Sequence, residues 1–366
     1  MVKRRVIAAV VLLAAAGLDA RSAAGQTSAD LFNDQVLQRI DLYVNTRDWY
    51  LLRARYMENE YYPANLKWNG TTVTNVAIRS RGTGSRSPVK PALRVDFNRY
   101  ATGRTFLGLT AVDLNNATQD PSSLREALAM KFYRAMGIPA PRAAPAALYV
   151  NNTYFGLYLL VEEIDEAAIA RLFGESGGYL FEYKWTFPWQ FEYLELGAFI
   201  RLVAVQAFIG EADGLLGNWG VNNHYLYRAS QKNLHRFIVW DASSSFHLSD
   251  YPLDAGHAES VLMRRAMSVP GLKAAYRDTL LEAAALADQV EGPGTPEAPA
   301  RGWLEREAVR LLDLIRDTAY ADKAKPFTNA EFDEAASMIL AFARSRGDVA
   351  RRVATRFAPT AGMRDP

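Results

Sequence analysis

The chain has 366 residues, enough for one large domain or for two lobes that share a cleft. Hydrophobic residues make up 49% and charged residues 22%, ordinary globular values that exclude extended disorder, and a formal net charge of +2 gives no reason to expect nucleic acid as a partner. The absence of cysteine excludes disulfides, thiolate nucleophiles and zinc–sulfur sites.

Residues 1–25 stand apart from the rest. Lys3, Arg4 and Arg5 are followed by an apolar run from Val6 to Leu18 and then by the small residues Ala23, Ala24 and Gly25. This is the layout of a cleaved secretory signal, with a core too short to span a bilayer comfortably. A secreted or periplasmic location is expected, with an uncleaved N-terminal anchor as the alternative. No other stretch is long and apolar enough to be transmembrane.

Residues 38–50 (QRIDLYVNTRDWY) alternate apolar and polar side chains, as an edge or half-buried strand does. Asn69-Gly70 between LKW and TTVTNVAIRS is a hairpin signal. The strand from Val73 to Ser80 runs into RGTGSRSPVK, rich in Gly, Ser and basic residues. KPALRVDF then alternates, with Leu93, Val95 and Phe97 on one face. These segments predict a small antiparallel sheet. Asp120-Pro121 reads as a helix start, with Leu124, Leu128 and Phe132 on one face and Gly137 and Pro139 as the stop. AALYV and FGLYLLVEE are strands joined by Asn151-Asn152. From about Asp165 the pattern turns helical, and Leu196 to Phe208 has the spacing of a buried helix. HYLYR and RFIVW bracket a turn at Gln231. After Ser260 helices are predicted up to about Phe357, broken by an exposed loop at 291–302.

Three features carry chemistry. RGTGS (81–85), opened by Arg81 and followed by Lys90, has the composition of a phosphate-approaching turn, although Gly and Ser also build plain hairpins. EADGLLGNWGVNNHYLY (211–227) places Asp213 just after a buried helix and before Asn218, Asn222 and Asn223. A proton-accepting aspartate followed by a metal-binding asparagine is the logic of a kinase catalytic loop, and the competing reading is an ordinary Asp/Gly/Asn loop. In FIVWDASSSF (237–246), Asp241 ends an apolar strand, where a carboxylate can hold Mg²⁺ or simply form a turn.

The segment LNNATQDPSSLREALAMKFYRAMGIPAPRAAPAALYVNNTYFGLYLLVEEID (114–165) resembles the CotH-like kinase family, the family of spore coat protein H. That family carries a D-P-S-x-L-R-E helix, a G-x-P-A-P-R connection, an aromatic strand ending V-N-G, and G-x-Y-x-x-x-E. Upstream, VAIRSRGTGSRSPVKPALRVDF is similar to its R-x-R-G…K-P-S-x-R-x-x-F segment. Downstream, AFIRLVAVQAFIGEADGLLGNWGVNNHYLYR is similar to its helix, aspartate and N-N-x-Y elements. The motifs keep the family's order over residues 38–250.

The resemblance implies an α+β, atypical protein-kinase-like fold of two lobes. The N-lobe would be an antiparallel sheet over residues 30–165 with the 121–136 helix on it, and the C-lobe, over 166–360, mainly helical. It implies ATP with Mg or Mn, and a protein Ser/Thr acceptor or the chain itself. Asp213 would be the catalytic carboxylate. Lys90 would contact the phosphates, with Arg81, Glu126 and Glu162 also on the nucleotide side. Asn223, with Asn218 as runner-up, and Asp241 would hold metal. The sequence departs from the family's W-D-x-D, because Ser243 stands at the second aspartate, and its linker at 184–195 is short. Rival readings are a nucleotide-binding pseudokinase or structural binding protein, and an exported hydrolase pairing Asp213 with Asp241. The four histidines (224, 235, 247 and 257) have no ligand spacing, and the alternating aromatics at 185–193 read as packing. Oligomeric state is left open.

Overall fold

The computed structural model describes residues 25–182, 194–218, 220–295 and 299–357. The signal-like residues 1–24, most of the 184–195 linker and the 185–193 aromatics lie outside the described residues.

Seven strands close into a barrel in the order β1-β2-β3-β4-β5-β7-β6. They are β1 (Gln38–Val44), β2 (Tyr62–Trp68), β3 (Thr71–Ser80), β4 (Leu93–Asp96), β5 (Ala111–Asn115), β6 (Ala143–Val150) and β7 (Thr153–Glu162). All neighbours are antiparallel except β1 and β6, which run parallel and close the ring with Ile40 opposite Leu148. The expected antiparallel N-lobe sheet is thus corrected to a closed barrel with one parallel pair. Closure removes the unpaired strand edges that an open sheet leaves exposed. The strand predicted over 38–50 ends at Val44. Asn45 then caps a helix by accepting a bond from the backbone N–H of Arg47.

The hairpin turns fall where the sequence placed them. Asn69 and Gly70 have φ of 43° and 82°, and Asn151 and Asn152 have φ of 49° and 67°. Two consecutive positive φ values are the requirement of a tight hairpin turn matched to strand twist.

The helices are α1 (Ser28–Leu31), α2 (Thr46–Ala54), α3 (Arg125–Ala135), α4 (Glu166–Phe173), α5 (Leu196–Ile209), α6 (Val261–Met267), α7 (Pro270–Ala287), α8 (Trp303–Ala321) and α9 (Asn329–Ala354). A second sheet, β10-β9-β8, joins Tyr179–Glu182 (β8), His224–Arg228 (β9) and His235–Val239 (β10). β8 was not foreseen from the sequence. The helix predicted from Asp120-Pro121, α3, starts at Arg125 rather than at Pro121. Asp120 instead accepts from the backbone N–H groups of Ser122 and Arg125, at 3.0 and 2.9 Å, and holds a turn ahead of the helix.

Two large cores organise the barrel and the helical part, and a smaller one, with Ile169, Tyr227 and Ile238, packs α4 against the second sheet. Ile40, Leu42, Val76, Ile78, Val95, Leu114, Tyr158 and Leu160 fill the barrel. Leu157, Leu159 and Val161, on the opposite face of β7, pack into a helical core with α3, α5, α7, α8 and α9. Alternate side chains of a strand point to opposite faces, so β7 is buried on both and reads as a near-continuous apolar run. Phe132 of α3 stacks on Phe208 of α5, with ring centroids 5.4 Å apart and planes at 6°. That contact fixes the end of α5, and with it the loop carrying Asp213.

Candidate active site

A cleft of about 1020 Å³ opens between the barrel loops 81–86 and 115–120 on one side and the loops 213–225 and 240–243 on the other. Its walls carry segregated charge. Arg79, Arg81 and Arg86 come from the β3 end and the loop after it. Asp120, Glu126, Glu182, Asp213 and Asp241 come from the turn before α3, from α3 itself, from β8 and from the later loops.

Asp213 is held by two asparagines. Asn222 Nδ2 donates to Oδ1 at 3.0 Å. Asn223 Nδ2 donates to Oδ2 at 2.9 Å and to the Asp213 carbonyl at 3.0 Å. Asn223 sits at φ 54°, a left-handed conformation that asparagine tolerates better than most residues, and this turns its amide back onto the aspartate. Burial raises the Asp213 carboxyl above its ordinary value, against the lowering effect of those two hydrogen bonds.

Asp241 follows β10 by two residues, at φ 39°. Ser243 Oγ donates to its Oδ1 at 2.8 Å, and both residues line the cleft. The serine at the family's aspartate position is therefore directed at Asp241.

Arg81 and Glu126 are joined through a residue the sequence reading had not singled out. Arg81 Nη1 donates to Asn115 Oδ1 at 2.6 Å, and Asn115 Nδ2 lies 2.9 Å from each Glu126 carboxylate oxygen. Burial, then the charge of Asp241, push the Glu126 carboxyl up to about 8. On its far side Arg81 Nη2 stands 3.1 Å from Asp113 Oδ2, an ion pair without hydrogen-bond alignment. Asp113, sealed in the barrel wall, is pushed by burial up to about 6. The guanidinium also lies over Trp240, 5.5 Å from the ring centroid.

Three expected site residues are not in the cleft. Lys90 is buried against Asp322 at 2.7 Å, with its ammonium 5.2 Å from the Tyr158 ring centroid, and does not line the cavity. Glu162 is enclosed by two arginines: Arg142 Nη2 bonds Oε1 at 2.8 Å and Arg171 Nη2 bonds Oε2 at 2.6 Å. It clamps the end of β7 to α4. Asn218 is exposed and outside the cleft lining, its backbone N–H donating to the Ala212 carbonyl at 2.8 Å. Asp213, Asn223, Asp241, Arg81 and Glu126 do converge.

The family profile described as CotH kinase protein matches residues 78–192 and 187–289, more than half of the chain. The chain belongs to the CotH kinase family. All five converging residues, and Asn115, fall inside the matched segments. Among curated relatives, inner spore coat protein H of Bacillus subtilis (strain 168) is 28% identical over 139 residues, which is 38% of this chain and 37% of that protein. The match thus spans little more than a third of either. Among solved structures, a Helicobacter pylori proinflammatory kinase, CtkA, is 11% identical over 72% of this chain and 94% of its own, with a TM-score of 0.32. At that score the likeness adds nothing to the reading of this CotH kinase family member.

The cleft can be tested for a divalent cation on its own chemistry. Mg²⁺ is usually held by one or two carboxylates, with phosphate oxygens and water completing the octahedron, rather than by an all-protein cage. Asp241 supplies one carboxylate. Asn223 spends its amide nitrogen on Asp213, so its oxygen is the end suited to a cation. Among the described residues no cluster of three acidic or histidine ligands forms, so any cation here would need the phosphates or water for the rest of its shell. The four histidines lie in separate surroundings: His224 against Phe237, His235 against Phe181, His247 against Arg125, and His257 against Tyr276.

Proposed function

We propose that this CotH kinase family member is an exported, ATP-dependent phosphotransferase acting on a protein Ser/Thr hydroxyl or on itself. The observation that carries the reading is Asp213, half-buried at the cleft and oriented by Asn222 and Asn223, on the same wall as Asp241 and facing the Arg81 loop. Phosphoryl transfer needs little covalent chemistry from a protein. It needs positioning and charge stabilisation, and a carboxylate to accept the hydroxyl proton.

In this scheme Asp213 orients the acceptor hydroxyl and takes its proton as the oxygen attacks the γ-phosphorus and the bond to the β–γ bridging oxygen breaks. Arg81, already anchored on Asp113 and Asn115, turns its remaining N–H donors to the phosphate chain. Asp241 and the Asn223 oxygen would hold Mg²⁺ or Mn²⁺, which would supply neutralisation of the phosphate charge. Tyr225 and Trp240, whose rings meet edge to face at 5.6 Å, offer an aromatic wall for the base. The two-lobed kinase-like reading of the fold rests on the placement of this cleft between the barrel and the helical part.

Export rests on the basic start and apolar run of residues 3–25. Among the described residues no helix is long and apolar enough to cross a membrane. One observation favours nucleotide binding without transfer: Ser243 brings a hydroxyl to Asp241 where the family commonly has a second carboxylate. Autophosphorylation with labelled ATP and Mg²⁺ or Mn²⁺, with Asp213→Ala as control, separates the two. Label in the parent and none in the variant supports transfer. ATP binding without label supports the pseudokinase reading.

A further inference from the structure

Behind the cleft, out of reach of substrate, lies a buried carboxyl that no part of the proposed chemistry uses. Glu211 is only 4% exposed and is absent from the cleft lining. α5 stops at Gly210, whose φ of 65° ends the helix, and the next residue turns its side chain inward. Glu211 Oε1 accepts the backbone N–H of Asp213 at 3.0 Å, and Oε2 accepts Ser245 Oγ at 2.5 Å. Ser245 is itself buried, four residues beyond Asp241 and two beyond Ser243.

The two loops that carry Asp213 and Asp241 are thus cross-linked through one side chain. Backbone bonds run alongside it: Ala212 N–H to the Ser244 carbonyl at 3.1 Å, and Phe246 N–H to the Ile209 carbonyl at 2.8 Å. Gln206, one turn back on α5, accepts the Leu215 N–H at 3.1 Å, and its amide fills the space where a side chain at Gly214 would stand. Among the described residues the Glu211 bonds run from the amide of Asp213 to the Asp241 loop, while Asn223, which holds the Asp213 carboxylate and carbonyl, accepts the Trp240 N–H at 3.1 Å.

We infer that Glu211 is a positioning residue that sets the distance between Asp213 and Asp241 by tying their two loops together. This rests on the phosphotransferase reading for its consequence in catalysis, although the brace itself does not. A carboxylate placed 1 Å off its reacting geometry loses much of its effect, whereas binding of the phosphate chain by other groups survives. Burial pushes this carboxyl up to about 8, so the neutral acid is the resident form near neutrality. Glutamine is then a fair replacement. Its oxygen accepts the Asp213 N–H and its nitrogen donates to Ser245 Oγ, whose hydroxyl rotates from donor to acceptor, so both ties are kept. Leucine keeps the volume and neither tie.

The test compares parent, Glu211→Gln and Glu211→Leu by amide hydrogen exchange and by transfer kinetics on the full chain. In Glu211→Leu the amides of Asp213 and its loop are expected to exchange at least tenfold faster, while those of mid-α5 stay protected. kcat is expected to fall at least tenfold with ATP affinity within twofold of the parent, and Glu211→Gln to restore both readouts. Unchanged loop exchange in Glu211→Leu overturns the brace whatever the kinetics show. So does loss of protection throughout α5, which would make Glu211 a fold residue only. If the parent shows no transfer but the loop exchange responds as stated, the brace stands and the phosphotransferase reading fails.

Discussion

Lys90 Nζ lies 2.7 Å from Asp322 Oδ2, and neither side chain reaches solvent. Asp322, in the turn after α8, also accepts the backbone N–H of Leu157 at 3.0 Å, and those of Ala324 and Lys325. Its carboxylate fills the space that a side chain at Gly156 would need, with an oxygen 2.9 Å from where a Cβ would stand. The pair therefore pins the helical part to the outer face of β7. Burial draws the Lys90 ammonium below its ordinary pKa, and Asp322 draws it back up.

Removing one partner of a buried pair leaves a charge without compensation. Lys90→Ala is expected to destabilise the chain by about 3–5 kcal/mol. ATP affinity of the folded fraction should be unchanged, because Lys90 does not line the cleft. Denaturant titration beside nucleotide titration at low temperature checks both. Weaker ATP binding at full stability would return Lys90 to the phosphates.

Of the two basic residues expected on the nucleotide side, Arg81 lines the cleft and Lys90 does not. The Arg81 fork spans Asp113 and Asn115, which a single ammonium cannot do. Arg81→Lys is expected to weaken ATP binding by roughly tenfold or more, the scale of one lost charge-assisted contact. Equal affinity in isothermal titration would remove Arg81 from the phosphate site.

How far the sequence reached can be judged residue by residue. The turns at Asn69-Gly70 and Asn151-Asn152, the buried α5 and the helices after Ser260 were legible because local signals decide them. Barrel closure was not, since the parallel β1–β6 pair joins segments about a hundred residues apart and leaves no local mark. The convergence of Asp213, Asn223 and Asp241 followed from loops at the ends of buried elements. Lys90 misled for a physical reason. A lysine after a glycine-rich loop looks solvent-facing until the chain supplies a buried carboxylate, and Asp322 lies 232 positions away, outside every quoted motif. Asn115, the link between Arg81 and Glu126, carried no signal beyond ending a strand.

The metal side of the cleft gives a gain-of-function test. Ser243 Oγ already bonds Asp241 Oδ1 at 2.8 Å. Ser243→Asp is expected to add a carboxylate beside Asp241 and to raise affinity for Mg²⁺ or Mn²⁺ in the presence of ATP severalfold. A metal titration identical to the parent's would mean that the introduced carboxylate turns away from the cation.

Stability should depend on pH through the buried acids. Glu211 and Glu126 are both pushed up to about 8 from an ordinary 4.5, chiefly by burial. Below about 4.5 both folded and unfolded chains hold these protons. Between about 4.5 and 8 the folded chain keeps protons that the unfolded chain releases, so stability falls as pH rises through that window. The slope is at most about 1.4 kcal/mol per pH unit for each group. Denaturation midpoints from pH 5 to pH 8 should decline, and Glu211→Gln should show a shallower decline. Parallel slopes for the two proteins would mean that Glu211 ionises normally in the fold.

In the proposed phosphotransferase, Asp213 handles the acceptor proton while other groups hold the nucleotide. Asp213→Asn keeps the shape and removes the base, so phosphoryl transfer is expected to drop by about 10²–10⁴-fold. ATP affinity measured on the same sample should stay within a fewfold of the parent, because in the proposed site Arg81 would hold the phosphates and Asp241 and Asn223 the metal. Transfer at the parent's rate by Asp213→Asn, under conditions where the parent is active, would contradict the account.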